Sequence, residues 1–240
     1  EFAKQLANKG LNLVLTDVLE NDLKERANEL ITEYGVKVKI IVLDVSQKEF
    51  ITKLTNFTKD IDLGLLVCNH MFITPNTPTF LEDSLENHYK IIAVNAQAYM
   101  CLLHTYGRMM REKNRGGIIL VSSMGGLHGT PFTAHYSANK AYQLMLGESV
   151  WYELKNTAVD VLVLTPGLTN TYPEGMKDYN KNLLMKVAPV VTETLEQLGK
   201  KHLVIPGWLN KITAFFMGRL LSRKKAIQMI GENMEQGLKK

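Results

Sequence analysis

Hydrophobic residues along this chain fall into two patterns: short continuous runs, and longer stretches in which they recur three or four positions apart. Short runs are typical of buried strands, and the wider spacing is the period of an amphipathic helix. The predicted strands are residues 11–16, 36–43, 63–68, 118–121, 161–165 and 202–205. Because helical stretches separate these strands, the pattern predicts βαβ units and a single α/β domain with a doubly wound parallel sheet.

The helical stretches are marked by their apolar spacing and, in two cases, by the glycine that ends them. Gly10 and Gly35 follow the first two stretches, at the position where glycine commonly closes a helix. Residues 168–188 have no clean period and contain glycine and proline, so this segment is predicted to be a lid over a site. The predicted helices are residues 1–9, 21–34, 85–113, 136–156 and 190–198, with a helical tail over residues 208–240.

The composition fits one soluble globular domain over residues 1–240, with 45% hydrophobic and 22% charged residues. A net charge of +4 gives no reason to expect a nucleic-acid partner. Cys68 and Cys101 fall inside a predicted strand and a predicted helix, which predicts free thiols and a reducing, cytoplasmic environment. No apolar run has the length that a membrane-spanning helix needs.

The stretch from Gly116 to Lys140 holds the candidate chemistry. A buried strand leads into Ser122 and Ser123, and a glycine-rich loop then leads into a helix with Tyr136 and Lys140 one turn apart. Ser123 follows the carboxyl end of the strand, where open α/β sheets bind ligands. A hydroxyl, a phenol and an ammonium that converge there would form a proton-transfer site, whereas Ser122 is expected to be structural.

The Tyr-x-x-x-Lys spacing alone is weak evidence, because a chain of 240 residues with nine tyrosines and 22 lysines is expected to contain about one such match by chance. With Pro166-Gly167 closing the next strand, however, the segment S-M-G-G-L-H-G-T-P-F-T-A-H-Y-S-A-N-K resembles the short-chain dehydrogenase/reductase family. It is most similar to the 17β-hydroxysteroid dehydrogenases and related acyl or retinol reductases. The resemblance covers nearly the whole chain and implies a Rossmann-like, homodimeric or homotetrameric oxidoreductase. Its substrate would be a hydrophobic alcohol or ketone that is steroid-, retinoid- or acyl-like.

The resemblance also assigns catalytic roles. Tyr136 would be the acid/base, and the neighbouring Lys140 ammonium is expected to lower the pKa of its phenol. Lys140 would also bind the nicotinamide ribose. Ser123 would hold the substrate oxygen, and Asn95, in the long helix, would connect to the lysine through a water.

The expected cofactor residues lie at strand ends. Asp17 stands where the family's NAD-binding members place an acid at the adenosine ribose, and Val18 follows where NADP-binding members usually have a basic residue. NAD(H) is therefore favoured over NADP(H), since an acid also repels a 2′-phosphate. Asp44 and Val45 match the family's adenine contact. The P-G-x-x-x-T pattern, which approaches the nicotinamide carboxamide, is matched by Pro166, Gly167 and Thr171.

One motif departs from the family. The fourth strand ordinarily ends in N-N-A-G, and here the sequence is Cys68-Asn69-His70-Met71. Asn69 is retained as a cofactor contact, but a methionine replaces the glycine that lets the main chain approach the cofactor. The departure leaves an alternative open, a non-catalytic protein that senses a dinucleotide or acts through partners. His70 and His128 are expected to be structural or pocket-lining, because no cluster has metal-ligand spacing.

The tail combines an apolar stripe with a basic cluster. A helix of this kind can lie on a membrane surface, which would make the protein peripheral on an intracellular membrane. The favoured interpretation is instead that the tail caps the substrate pocket or packs on another subunit. The stripe consists of Ile212, Phe215, Phe216 and Leu220, and the cluster of Arg219, Arg223, Lys224 and Lys225.

The amino end resembles the helix that follows the family's first strand and its T-G-x-x-x-G-x-G phosphate-binding turn. Roughly 15 or more further residues are therefore expected upstream of Glu1 in the natural protein. Their strand would lie between the strands that begin at Leu11 and Leu63, so either a gap between those two or another segment that fills it is expected.

Overall fold

The computed structural model describes residues 1–74, 79–171 and 184–238. All six predicted strands are present, with ends that differ from the predicted ones by a few residues. They are β1 Leu13–Asp17, β2 Val38–Val42, β3 Leu65–Cys68, β4 Gly116–Val121, β5 Val159–Leu164 and β6 Leu203–Val204.

The helices alternate with the strands, as the pattern predicts. They are α1 Phe2–Asn8, α2 Glu20–Tyr34, α3 Phe50–Thr58, α4 Leu85–Ile92, α5 Ala98–Glu112, α6 Ala134–Glu153, α7 Val187–Gln197, α8 Trp208–Phe215 and α9 Arg223–Leu238. The predicted single helix over residues 85–113 is instead interrupted by a π-helical turn at Ala93–Gln97, which separates α4 from α5. The tail is likewise broken, because a second π-helical turn, Phe216–Leu220, ends in extended backbone at Leu221.

The described strands form two parallel sheets. One has the order β1-β2, and the other has the order β3-β4-β5-β6. In the larger sheet β4 is central, paired with β3 from Leu65 to Cys68 and with β5 along its whole length. Strands β1 and β3 are not hydrogen-bonded to each other, which agrees with the expected gap between them.

The core is built around β4, whose residues alternate between the two faces of the sheet. Ile118 and Leu120 pack into one cluster with the buried face of α5. Ile119 packs on the opposite face with Leu162 of β5 and Val190 of α7. Burying one such side chain contributes about 1.5–3 kcal/mol, so these two layers hold β4 firmly between helices. The residues that follow β4 therefore start from a fixed point.

The lid predicted over residues 168–188 lies largely outside the described residues, which stop at Thr171 and resume at Leu184. Its two described ends meet. Thr169 and Met185 form a parallel bridge, and the Asn170 main-chain N–H donates to the Met185 carbonyl at 2.8 Å. Met185 also packs into the core, so the base of this segment is fixed to the body.

The tail contributes one packed helix and one exposed stripe. In α9, Ala226 is fully buried, and Ile227 lies against Gly129 in the loop that follows Ser123. The predicted apolar stripe is largely solvent-exposed in this single chain, with Phe215 at 62% and Leu220 at 64%. None of the described helices is both long and apolar enough to cross a bilayer.

Candidate active site

Ser123 lies two residues beyond β4 and begins a tight turn. Its backbone is extended, and its Oγ accepts the main-chain N–H of Gly125 at 3.1 Å, which caps the 3-10 turn Met124–Gly126. The turn is pressed against α6. A Cβ at Gly125 would lie 3.0 Å from Cε1 of Tyr136, and one at Gly126 would lie 2.6 Å from the carbonyl carbon of Lys140. Glycine at these positions thus lets Ser123 approach the helix that carries the other two groups.

Lys140 is 5% exposed, and its ammonium is held by two hydrogen bonds. Nζ donates to the Val121 carbonyl at 2.9 Å and to Oε1 of Gln143 at 3.1 Å. The same strand end is tied to α6 a second time, because Ser122 Oγ donates to the Lys140 carbonyl at 2.6 Å. This agrees with the structural role expected for Ser122. The end of β4 and the middle of α6 are therefore locked together.

Burial dominates the electrostatics of Tyr136 and Lys140. It raises the pKa of the Tyr136 phenol, although hydrogen bonding with the Ser123 hydroxyl offsets part of the rise. It also lowers the pKa of Lys140 to about 8. The sequence-based expectation that Lys140 would lower the pKa of Tyr136 has the wrong direction here. The reason is geometric: Nζ is turned to Val121 and Gln143 and lies 5.8 Å from the centroid of the Tyr136 ring.

Asn95 is buried in the π-helical turn, and both polar atoms of its side chain form hydrogen bonds with the segment after β3. Oδ1 accepts the Phe72 main-chain N–H at 2.8 Å, and Nδ2 donates to the Phe72 carbonyl at 2.7 Å. Its own carbonyl accepts from Nε2 of Gln143 at 2.8 Å. A π-turn displaces the local backbone register, which is common at functional sites. Asn95 thus reaches the lysine through its carbonyl and Gln143.

Gln143 is the residue of this site that sequence reasoning missed. It is three positions after Lys140 on α6 and is completely buried. Residues three apart on a helix are neighbours, and a polar side chain on the face that carries Tyr136 and Lys140 was an available signal.

The expected cofactor residues of the smaller sheet lie at its carboxyl edge. Asp17 ends β1, and its Oδ1 accepts the main-chain N–H groups of Val18 at 2.7 Å and Leu19 at 3.0 Å. Asp44 follows β2, and its Oδ1 accepts from the main-chain N–H of Ser46 at 2.9 Å. Val45 is partly buried and packs against the core.

The segment after β3 places Asn69 on the surface and His70 inside. The His70 ring packs against the Tyr99 ring in a tilted arrangement, with 4.4 Å between centroids, and burial lowers the pKa of His70 to about 4. Met71 is 47% exposed. The non-glycine residues with positive φ in the described chain are Asn114 and Phe132, so the methionine sits at Met71 without backbone strain.

The segment after β5 places Gly167 beneath the tail, while the Pro166 carbonyl accepts the main-chain N–H of Met124 at 3.0 Å. A Cβ at Gly167 would lie 2.6 Å from Nδ2 of Asn210 in α8, so this glycine leaves room for a tail side chain. Thr171 closes its turn by donating its N–H to the Thr169 carbonyl at 2.8 Å. Asn170 Oδ1 is buried and has no hydrogen-bond partner among the described residues.

His128 faces the tail rather than the strand ends. Burial lowers its pKa, the nearby Arg223 lowers it further, and a hydrogen bond with the Met217 main chain acts in the opposite direction. Within residues 1–74, 79–171 and 184–238, no three side chains of the His, Cys, Asp or Glu type come together to hold a metal ion.

Comparisons with known proteins agree on one family. A family model described as short chain dehydrogenase matches residues 1–181. A 7beta-hydroxysteroid dehydrogenase of Clostridium sardiniense is 32% identical over 87% of this chain and 81% of the relative. One of Mediterraneibacter gnavus is 34% identical over 88% of this chain and 82% of the relative. A solved structure from a study of 7beta-hydroxysteroid dehydrogenase stereoselectivity has a TM-score of 0.90 at 28% identity, and covers 95% of this chain and 90% of that chain.

Proposed function

The chain belongs to the short-chain dehydrogenase family of NAD(P)-dependent oxidoreductases that act on alcohol and carbonyl groups, and from this premise we propose that it interconverts a hydrophobic alcohol and its ketone with Tyr136 as the acid/base. The observation that carries the proposal is the meeting of Ser123, Tyr136 and Lys140 at the carboxyl end of the central strand.

The nicotinamide of a bound cofactor supplies the hydride in reduction and receives it in oxidation. In reduction, the Tyr136 phenol gives its proton to the carbonyl oxygen as that oxygen gains charge. The Ser123 hydroxyl donates a hydrogen bond to the same oxygen. The Lys140 ammonium, 5.8 Å from the centroid of the Tyr136 ring, places a positive charge beside the phenol as it loses its proton, although burial outweighs this charge in the resting site. Because burial raises the pKa of Tyr136, the phenol holds its proton at neutral pH, which is the state that reduction requires.

The residues at the strand ends fit a nicotinamide dinucleotide. The Asp17 carboxylate is held at the end of β1 by two main-chain N–H groups and suits the ribose hydroxyls. The buried Asn170 Oδ1, unpartnered in the part of the chain that is described and three positions after Gly167, is an acceptor that suits a carboxamide N–H. Asp44 and Asn69 lie at two further strand ends. We propose that these residues bind the cofactor and that NAD(H) is preferred over NADP(H).

The proposed substrate class is a hydrophobic, steroid-like alcohol or ketone. Retinoid and acyl-chain compounds are the alternatives to be tested beside it. Support comes from the relatives named 7beta-hydroxysteroid dehydrogenase and from apolar residues of the predicted lid. Of these, Leu184, Met185 and Val187 are described, and Leu183 lies outside the described residues.

The test is turnover by the protein with NADH and NADPH against steroid, retinoid and 3-oxoacyl ketones, followed by the absorbance of the reduced nicotinamide. Tyr136→Phe should reduce kcat by about 10²–10⁴-fold with little change in cofactor affinity. Tyr152→Phe is the matched control, since Tyr152 is 58% exposed on the same helix. Equal turnover by Tyr136→Phe and the wild type would remove Tyr136 as the acid/base. Cofactor binding without turnover of any ketone would favour the non-catalytic alternative.

We also propose that the protein is a homodimer or homotetramer in the cytoplasm. Large apolar side chains are exposed on adjacent helices, among them Met100 of α5 and Met145 of α6, at 44% and 57%. Cys68 and Cys101 are free thiols, which suits a reducing compartment. Light scattering at assay concentrations measures the mass, and a monomer would contradict the proposed assembly.

A further inference from the structure

Gln143 links the catalytic lysine to the π-helical turn. It is 0% exposed, and its amide makes one hydrogen bond on each side. Nε2 donates to the Asn95 carbonyl at 2.8 Å, and Oε1 accepts from Lys140 Nζ at 3.1 Å. A carbonyl can only accept and an ammonium can only donate, so a side chain between them must present one donor and one acceptor. The glutamine amide meets both needs in a single orientation.

We propose that Gln143 is a positioning residue for the reaction, which holds the Lys140 ammonium against the Asn95 carbonyl in the place where the family resemblance implies a water. The proposal rests on the proposed function in one respect, namely that Lys140 acts together with Tyr136. It assigns Gln143 no contact with substrate or cofactor.

The geometry shows what the bridge does for Lys140. The ammonium has three N–H donors, and two of them are taken by the Val121 carbonyl and by Gln143. With these two fixed, the direction of the third is set by the tetrahedral nitrogen. A fixed side chain in place of an exchangeable water keeps that direction constant through each turnover, which is the benefit of a preorganised charge.

The bridge also bears on the charge of Lys140. Burial lowers the pKa of this lysine to about 8, and an acceptor on the ammonium favours the charged form. Among the described residues, the titratable groups that face Lys140 are Tyr136 on its own helix, Tyr99 of α5, whose hydroxyl shares the Val121 carbonyl with the ammonium, and His70 after β3. With a pKa lowered to about 4, His70 is neutral at neutral pH and does not replace the glutamine as a partner.

The direct test measures the pKa of Lys140 without turnover. The full chain is labelled with [15N]lysine, and the Nζ signal of Lys140 is assigned by its loss in Lys140→Arg and titrated. Gln143→Met, which keeps the length and removes the acceptor, should lower the pKa by about one unit. Gln143→Glu, which places a negative charge on the ammonium, should raise it. Thr194→Val is the control, because it removes a different fully buried hydrogen bond, from Thr194 to the Val190 carbonyl.

Kinetics provide the second readout. Ketone reduction needs a charged Lys140, so the alkaline limb of kcat/KM should move to lower pH in Gln143→Met and to higher pH in Gln143→Glu. An unchanged Lys140 pKa in a folded variant overturns the positioning role, whatever its activity. If circular dichroism shows that Gln143→Met is unfolded, the Lys140 pKa in Gln143→Glu alone tests the positioning role. If the wild type reduces no ketone, the proposed function is wrong. The Lys140 titration does not depend on turnover, so it still tests the role of Gln143.

Discussion

Burial, more than any neighbouring charge, sets the protonation of the side chains around Tyr136. It is the largest cause of the raised pKa of Tyr136, of the lysine pKa of about 8 at Lys140, and of the histidine pKa of about 4 at His70. At neutral pH the site therefore holds a neutral phenol, a charged lysine and a neutral histidine. These are the protonation states that the proposed reduction of a carbonyl requires.

His70 should make the protein sensitive to acid. Its folded pKa of about 4 lies below the ordinary 6.5, so the unfolded chain binds more protons between these values. Stability is complete above pH 6.5 and is lost as the pH falls toward 4, by roughly 3 kcal/mol. Urea unfolding across this interval should show that slope, and His70→Phe, which keeps a ring against Tyr99, should flatten it. His104→Gln, at an exposed histidine of α5, should leave the slope unchanged; an equal slope in His70→Phe would contradict the prediction.

Cofactor choice should depend on Asp17 and Val18. Replacing Asp17 by Ser removes a carboxylate that repels a 2′-phosphate, and its hydroxyl can still cap the turn that Oδ1 caps now. Replacing Val18, which is 56% exposed, by Arg adds a phosphate partner. The double variant should shift the ratio of kcat/KM values toward NADPH by about tenfold or more, since a hydrogen bond to a charged group contributes about 1.5–3 kcal/mol. Preference for NADPH in the unmodified protein would contradict the role given to Asp17.

At this scale the sequence predicted which side chains meet at the candidate site better than it predicted their protonation. Ser123, Tyr136 and Lys140 could be singled out because their spacing sits between a buried strand and a helix. The direction of the pKa shift of Tyr136 could not be predicted from the sequence, because it depends on burial and on where the Lys140 ammonium points. Gln143 was missed for the same reason: only the fold brings the Asn95 carbonyl to its amide.

At the scale of elements, the approach of the turn Met124–Gly126 to α6 sets the geometry of the site. The sequence predicted a glycine-rich loop there but could not show that the loop lies on the helix backbone at Lys140 and Ala141. It also predicted a continuous helix over residues 85–113, because the apolar spacing passes through the π-helical turn without a break. The structure places Asn95 in that turn, where its carbonyl faces Gln143.

Gly126→Ala should therefore damage both stability and activity. The added Cβ would lie 2.6 Å from the Lys140 carbonyl carbon and 2.8 Å from the Ala141 nitrogen, and neither backbone atom can rotate away. We expect a loss of about 1–3 kcal/mol in the free energy of unfolding. Displacement of Ser123 should also lower kcat/KM, by up to about 100-fold. Gly64→Ala is the control, because a Cβ there meets nothing within 4 Å. A Gly126→Ala variant as stable and active as Gly64→Ala would show that the turn has room to move.

At the scale of the whole molecule, local patterns predicted the architecture and missed the course of the tail. The strands and their parallel arrangement followed from alternating apolar runs and helices. The tail was predicted as a helical extension that caps the substrate pocket or packs on another subunit. In the structure its helix is broken by extended backbone at Leu221, and α9 beyond this break packs on the body. The position of the break depends on contacts between distant residues and has no local sequence signal.

The packing of α9 predicts that the tail supports the active-site loop. Ile227 lies against Gly129, and Pro131 lies against Gly231, so the helix covers the loop between Ser123 and Tyr136. Ala226→Asp would bury a carboxylate at a position with 0% exposure, which should detach α9 and leave that loop without its cover. We expect faster proteolysis within residues 223–238, a lower kcat/KM and a far smaller change in the unfolding of the core. Gln228→Asp adds the same charge at an exposed position of α9 and serves as the control. If Ala226→Asp releases the tail to protease while kcat/KM stays at the wild-type value, α9 has no part in holding the loop.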